Sequence, residues 1–439
     1  MIKNLFTIHN IFLIILSILT VIWIMPHVTF FVNLLYFLIL LIAFYTFYEK
    51  KTIPLNINYI IPIIIFFSCF VIWAFMTSLF IANDTMNSLN EFRGQLLKIL
   101  VLCFSLYFII KNRKIKINYI VSIIFFSLLF HFLVVDLYAI KYFFDKGSFP
   151  LRIYGLATGL DEINFITPFL LSIFTVEIIF RILKDKYMLP IGNKIFGMLF
   201  FFTLFSLIIQ AKRNGIFTVS FMFISVILIV FIKLRKKVIP YLLIFSMIIA
   251  VFIGISIRDD SRWSSLFETI PIAMDIENNK AWLDWNKYEI PKLSDGSNID
   301  HSTYNRIAWI TAGAQIIKEN PFGVGFGRNA FSHALEAKYN EGAGRHAHSG
   351  IIDLGVGTGV IGLILWILFM GTIIYKSFKL YIQENNYLAL LSFFLTSSFF
   401  SRSFVDSVIR DHMLHQFLFF ITIYLLLMLK EKQLKFSNS

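Results

Sequence analysis

Polar groups able to do chemistry are scarce in this chain and fall in short stretches. The densest reads Arg345-His346-Ala347-His348-Ser349, followed by an apolar run holding Asp353, Gly355, Gly357, Gly359 and Gly362. An unperturbed imidazole titrates near about 6.5, so a neutral His accepts a proton from a hydroxyl nucleophile around pH 7. The H-x-H spacing is also compatible with zinc. No Cys stands nearby and the carboxylates are scattered, so no metal is expected. The second group is basic: Arg152, Lys212-Arg213, Arg306, Arg345 and Arg410. A guanidinium stays charged and grips phosphate oxygens in a fork. Taken singly, each residue has a plain alternative: an interfacial His bonding a loop carbonyl, or an arginine snorkelling from a helix end.

These residues need a scaffold, and the composition specifies one. Of 439 residues, 58% are hydrophobic and 15% charged. A soluble domain is about half apolar and about a quarter charged. Such a chain cannot hide its apolar groups inside a water-soluble globule. Scarce charge and recurring apolar runs of about 20 residues exclude disorder, collagen and coiled coil. The runs are continuous rather than alternating, which excludes a transmembrane β-barrel. The expectation is an all-α polytopic integral membrane protein of about twelve spans: roughly 7–25, 28–48, 58–81, 95–110, 118–140, 163–183, 195–210, 215–233, 239–256, 350–375, 386–402 and 412–429. The first run lacks a small-residue cleavage site and reads as a span. Cys69 and Cys103 fall inside apolar runs and read as small core residues.

The net charge of +13 fits basic loops against anionic lipid, not nucleic acid. Lys50–Lys51, Lys111/Arg113/Lys114/Lys116, Arg181/Lys184/Lys186, Lys233/Arg235/Lys236/Lys237, Lys376/Lys379 and Lys430/Lys432 occupy every second connection. By the positive-inside bias that side is cytoplasmic, with both termini. Three parts follow: helices over 1–256, a loop domain over 257–349, and helices with a cytoplasmic tail over 350–439. Arg93, Arg152, Asp161, Glu162, Lys212, Arg213, Arg306, His346, His348, Asp406 and Arg410 then share the opposite face. Asp406 and Arg410 are spaced as a helical ion pair.

Within the loop, Ser302 or Thr303 can cap a helix ending before Pro321. Arg306, Ile307, Ile310, Ala314 and Ile317 share one side of it, as a helix lying on the membrane surface requires. Trp263, Trp282, Trp285 and Trp309 can stack on sugars or anchor at the interface. Asp259–Asp260 reads as a solvated loop start. Lys98 and His131 are the main charged candidates inside spans, too few for a polar conduction path. No internal repeat is visible, which disfavours many transporter designs.

The spacing His348-Ser349, nine residues, Gly359-Val360-Ile361-Gly362 resembles the signature H-[NSQ]-x9-G-x-x-G of the bacterial O-antigen ligase family. Ala211-Lys212-Arg213-Asn214 is similar to that family's basic turn. Arg306-Ile307-Ala308-Trp309 with Asn320-Pro321-Phe322-Gly323-Val324-Gly325-Phe326-Gly327 resembles its R-x-x-W…P-x-G-x-G stretch. The specific likeness covers roughly 200–365. The first half of the chain matches in hydropathy only.

The resemblance implies transfer of a glycan from undecaprenyl diphosphate to a sugar of the lipid A core, on the periplasmic side of the inner membrane. It implies no cofactor and an inverting, metal-independent reaction. His348 is then the general base, and Arg213 and Arg306 clamp the diphosphate. His346, Lys212, Arg152, Arg345 and Arg410 are candidate substrate-binding residues. Neighbouring arginines would keep His348 neutral by like-charge repulsion. Gly359 and Gly362 read as close helix packing by small residues. An O-antigen polymerase or a protein O-oligosaccharyltransferase would use the same donor. A glycan flippase belongs to a different class.

Overall fold

The computed structural model describes residues 7–49, 55–112, 115–210, 213–234, scattered positions between 240 and 254, 262–341 and 346–437; for 213–220, 234, 262–264 and 435–437 only the backbone is described. The helices in chain order are α1 (Ile8–Ile22), α2 (Thr29–Tyr48), α3 (Ile61–Phe80), α4 (Thr85–Phe92), α5 (Lys98–Ile110), α6 (Ile117–Lys146), α7 (Leu160–Ile182) and α8 (Asn193–Gln210). They continue as α9 (Arg213–Leu234), α10 (Arg262–Met274), α11 (His301–Glu319), α12 (Ala330–Tyr339), α13 (Gly350–Glu384), α14 (Tyr387–Arg402) and α15 (Asp411–Ser437). A π-helical stretch, Arg93–Leu97, joins α4 to α5. Among the described residues no strand forms beyond one isolated bridge, Lys292–Asn298.

The protein is a polytopic all-α membrane protein. Among the described residues, eight helical stretches are long and apolar enough to cross a bilayer. Of the other four expected spans, α1 has 15 residues and α14 has 16. The described apolar part of α9 is Phe221–Lys233, and 239–256 lies largely outside the described residues.

Helix α7 sits at the centre, its most apolar stretch fully enclosed. Its aromatic rings meet those of the surrounding helices: Phe165 with Phe399, Phe169 with Phe420, and Phe174 with Phe125 and Phe196. Buried Glu177 near its end accepts from Arg181 Nε, the Met188 and Leu189 N–H groups and Tyr387 Oη. A buried carboxylate needs that full set of donors. Helix α2, by contrast, exposes Phe30, Phe37, Phe44 and Phe47, as a lipid-facing helix does. Lys430 is not a free loop charge. It is buried, and its Nζ donates to Ile110 O, Asn112 O and Ile115 O.

A second apolar core forms outside the bundle, from Trp282, Tyr304, Phe331, Leu335 and their neighbours on α10, α11 and α12. Trp282 lies inside it with Nε1 donating to Ile276 O, so it offers no face to a sugar. Two expectations for α11 change. Its cap is Asp300, whose carboxylate accepts from Thr303 N at 2.7 Å, rather than Ser302 or Thr303. Its buried side is Tyr304, Asn305, Ala308, Ala312, Gly313 and Ile316. The small side chains Ala308, Ala312 and Gly313 let α11 approach α13 closely, and a Cβ on Gly313 would strike Ile352. Protein contact, not a membrane surface, selects the buried face.

Helix α13 breaks at Gly359 (φ 67°, ψ −171°). The break frees carbonyls, and the Pro321–Gly327 loop satisfies them. Val324 N donates to Val356 O and Gly325 N to Gly357 O, while Trp73 Nε1 takes Thr358 O at 2.7 Å. Val360 N donates to Pro321 O at 2.9 Å. Gly359 is therefore a backbone hinge, not only a small packing residue. Gly323 (φ 88°) and Gly325 (φ 112°) supply the left-handed turns that lay the loop against it.

Candidate functional site

The histidines lie on a short strap leading into α13. Ser349 caps that helix, its Oγ accepting from Ile352 N at 3.4 Å. The carboxylate of Asp353, one turn in, accepts from Ala347 N at 2.7 Å and from Ser407 Oγ at 2.5 Å. The first N–H groups of α13 are taken by the turn after α14: Gly350 N by Asp406 O and Ile351 N by Ser403 O. The strap is thus tied to both neighbouring segments, which leaves His348 at φ 51°. Positive φ is uncommon for a non-glycine residue and persists where the surroundings impose it.

His348 stacks on Trp309 with ring centres 5.2 Å apart and planes 14° from parallel. His346 meets His348 edge-on at 4.2 Å. Arg306 lies one turn before Trp309 on α11; it is exposed and makes no ion pair among the described residues. Burial first, and then the Arg306 charge, pulls the His348 pKa down to about 4. Burial and the Arg410 charge bring His346 down to about 3. Both rings are neutral near pH 7. The expected effect of neighbouring arginines is present, but desolvation exceeds it.

Asp406 does not pair with Arg410. Helix α14 ends at Arg402, and that residue holds Asp406 through Nη2 at 2.7 Å and Nε at 3.1 Å. Arg402 Nη1 also donates to Asn164 O at 2.5 Å, fixing the turn to α7. Burial raises the Asp406 pKa, but the Arg402 guanidinium outweighs it and holds the carboxyl below its usual range. Arg410 reaches Asp411 at 3.7 Å.

His346, His348, Arg306 and Arg410 therefore come together, with Asp406 and Asp161 also within electrostatic reach of His348. Arg152 lies elsewhere: it is exposed, and its N–H donates to Ile209 O near the end of α8. Lys212 and Arg345 lie outside the described residues, as does the Asp259–Asp260 pair. Arg213 opens α9, and its side chain is outside the described set. Among the described residues no three His, Cys, Asp or Glu groups converge as metal ligands. Sequence reasoning gave Asp353 no role and missed two other structural parts of this site, Arg402 and Asn164. A lone carboxylate in an apolar run was a signal for Asp353, because a buried acid must find donors.

Residues 198–367 match the family model described as O-antigen ligase. Over these residues the chain is similar to the O-antigen ligase family, and the match supports that family for it. No curated protein matches the chain. The O-antigen ligase segment runs from within α8 through the loop domain and past the break in α13, so it takes in Arg306, Trp309, His346, His348 and Gly359. Together with the apolar helices, this match supports a membrane glycosyltransferase of the O-antigen ligase or polymerase type. Arg402, Asp406 and Arg410 lie beyond the O-antigen ligase segment and support it from the C-terminal helices.

Proposed function

We propose that the protein transfers an O-antigen glycan from undecaprenyl diphosphate to a sugar of the lipid A core, at the periplasmic face of the inner membrane. The observation that carries this reading is the neutral His348, stacked on Trp309 with unpaired Arg306 one turn away. The acceptor hydroxyl attacks the anomeric carbon and gives its proton to His348. The bond from that carbon to the diphosphate oxygen breaks, inverting the centre, and the diphosphate leaves with the electron pair. Arg306 and Arg213 meet the charge that develops there, in the place a divalent ion takes in other transferases. The buried indole N–H of Trp309 has no partner among the described residues and is available to a bound sugar. His346 and Arg410 border the same space; Lys212, Arg152 and Arg345 are further substrate-binding candidates.

A deletion strain tests the reaction. Loss of capped lipopolysaccharide with lipid-linked polymer accumulating supports it. Single-repeat lipopolysaccharide means a polymerase, and loss of protein glycosylation alone means a protein O-oligosaccharyltransferase. With purified protein, Arg306→Gln should lower transfer by about 10²–10³, the loss typical when one charge-stabilising donor is removed. Unchanged turnover removes Arg306 from the clamp.

The pH dependence has a definite sign. A general base works only when unprotonated, so the acidic limb of kcat/KM follows the His348 pKa of the free enzyme. That limb should fall near pH 4 rather than near the ordinary value of about 6.5. Removing the Arg306 charge relieves repulsion and should move the limb upward. Measured profiles of wild type and Arg306→Gln check both statements.

A further inference from the structure

A cavity of about 800 Å³ opens beside the site, between the α1–α2 connection, the π-helical stretch and the start of α15. One wall is apolar, formed by Trp23, Ile24, Val28, Val32 and Tyr36. The facing wall carries Gln95, Lys98, Arg328, His412 and His415. Its two acids are already engaged. Arg328 Nε lies 3.0 Å from Glu91 Oε1, and its Nη1 lies 3.2 Å from Asp411 Oδ1. Lys98 makes no ion pair among the described residues, although it stands midway along Thr85–Ile110, a span of 26 residues. Lys98 is exposed, so its ammonium is open to an anion in the cavity. The buried Nε2 of His412 has no partner among the described residues either. The π-helical stretch just before Lys98 interrupts the regular α-helix on this wall, as such stretches often do at functional sites.

We propose that this cavity binds the phosphate of a membrane lipid, with Lys98 and His412 on the phosphate and the apolar wall along the first carbons of the lipid chain. The lining is divided as an amphiphile is divided, and an ammonium is a good point charge for phosphate. Residues Arg410, Asp411 and His412 are consecutive, so the cavity adjoins the space beside His346. The inference rests on the reading of a transferase that handles two lipids. The phosphate belongs either to the polyprenyl diphosphate donor or to a phosphorylated glycolipid acceptor.

The test uses the full chain in phosphatidylcholine nanodiscs and native mass spectrometry. Probes are undecaprenyl diphosphate and a bisphosphorylated lipid A, each beside its dephosphorylated counterpart. Lys98→Gln should lower retention of one phosphorylated lipid at least tenfold, and Lys98→Arg should keep most of it. The dephosphorylated lipids should not distinguish the variants. Whichever phosphorylated lipid is lost identifies the source. Equal retention of both by Lys98→Gln overturns the proposal, as does equal loss of phosphorylated and dephosphorylated forms. Should Lys98→Gln fail to fold, His412→Gln carries the test, and unchanged phosphorylated-lipid retention there overturns it. Transfer that persists while Lys98→Gln binds normally sinks the cavity and leaves the transferase reading standing. Lys98-dependent retention in a wild-type protein that never transfers glycan does the reverse.

Discussion

Replacing His348 with Asn should abolish most glycan transfer and leave a folded protein. A positioned general base contributes about 10²–10⁴ to rate, and an amide has no basicity to replace it. Asn is the informative choice because His348 sits at φ 51°, a region Asn tolerates and Ala resists. His348→Ala would mix lost chemistry with backbone strain. The readout is in vitro transfer from a defined lipid-linked donor, with thermal unfolding in detergent as the control for folding. Transfer within threefold of wild type would remove His348 from the mechanism. Stability has its own sign. A histidine whose folded pKa is depressed contributes stability that is present above the unfolded value of about 6.5 and lost as pH falls toward 4. His348→Asn should therefore lose less stability than wild type between those limits.

Gly359→Ala should be severely destabilising. The backbone there lies in a region almost closed to residues with a side chain, at a cost of about 1–3 kcal/mol. An added Cβ would also stand 2.5 Å from Phe322 C and 2.6 Å from Gly323 N, and closer still to Pro321 O. Those are backbone atoms, with Pro321 O accepting from Val360 N and Gly323 N donating to Asn320 O, so no flexible side chain can yield. The two effects together should lower the detergent Tm by many degrees or prevent accumulation of folded protein. Gly371→Ala, with open space at its Cβ, serves as the control and should be near neutral. Equal Tm values for the two variants would contradict the hinge.

Much of this was readable because apolar runs of spanning length leave a chain few options. The polytopic helical class follows from composition alone, and the His348–Gly362 spacing pointed to the strap now seen at the head of α13. The length of each helix was harder to read: α6 continues to Lys146 and α13 to Glu384, past the last apolar residues, because polar side chains there meet water or other helices. The face of α11 was misread since hydrophobicity ranked Ile above Ala. The close crossing with α13 instead favoured Ala308, Ala312 and Gly313. The Asp406 partner was misread because α14 ends at Arg402, which puts the i−4 residue within reach and carries Arg410 away on the turn. Tertiary approach decided each of these, and no local pattern records it.

The three carbonyls that Lys430 captures are made 315 to 320 residues before it in the chain. During synthesis the end of α5 must wait without its donor while some 315 further residues are made. The last helix thus acts as a latch on an early one. A quality-control protease surveying the membrane would meet a half-closed bundle until that ammonium arrives.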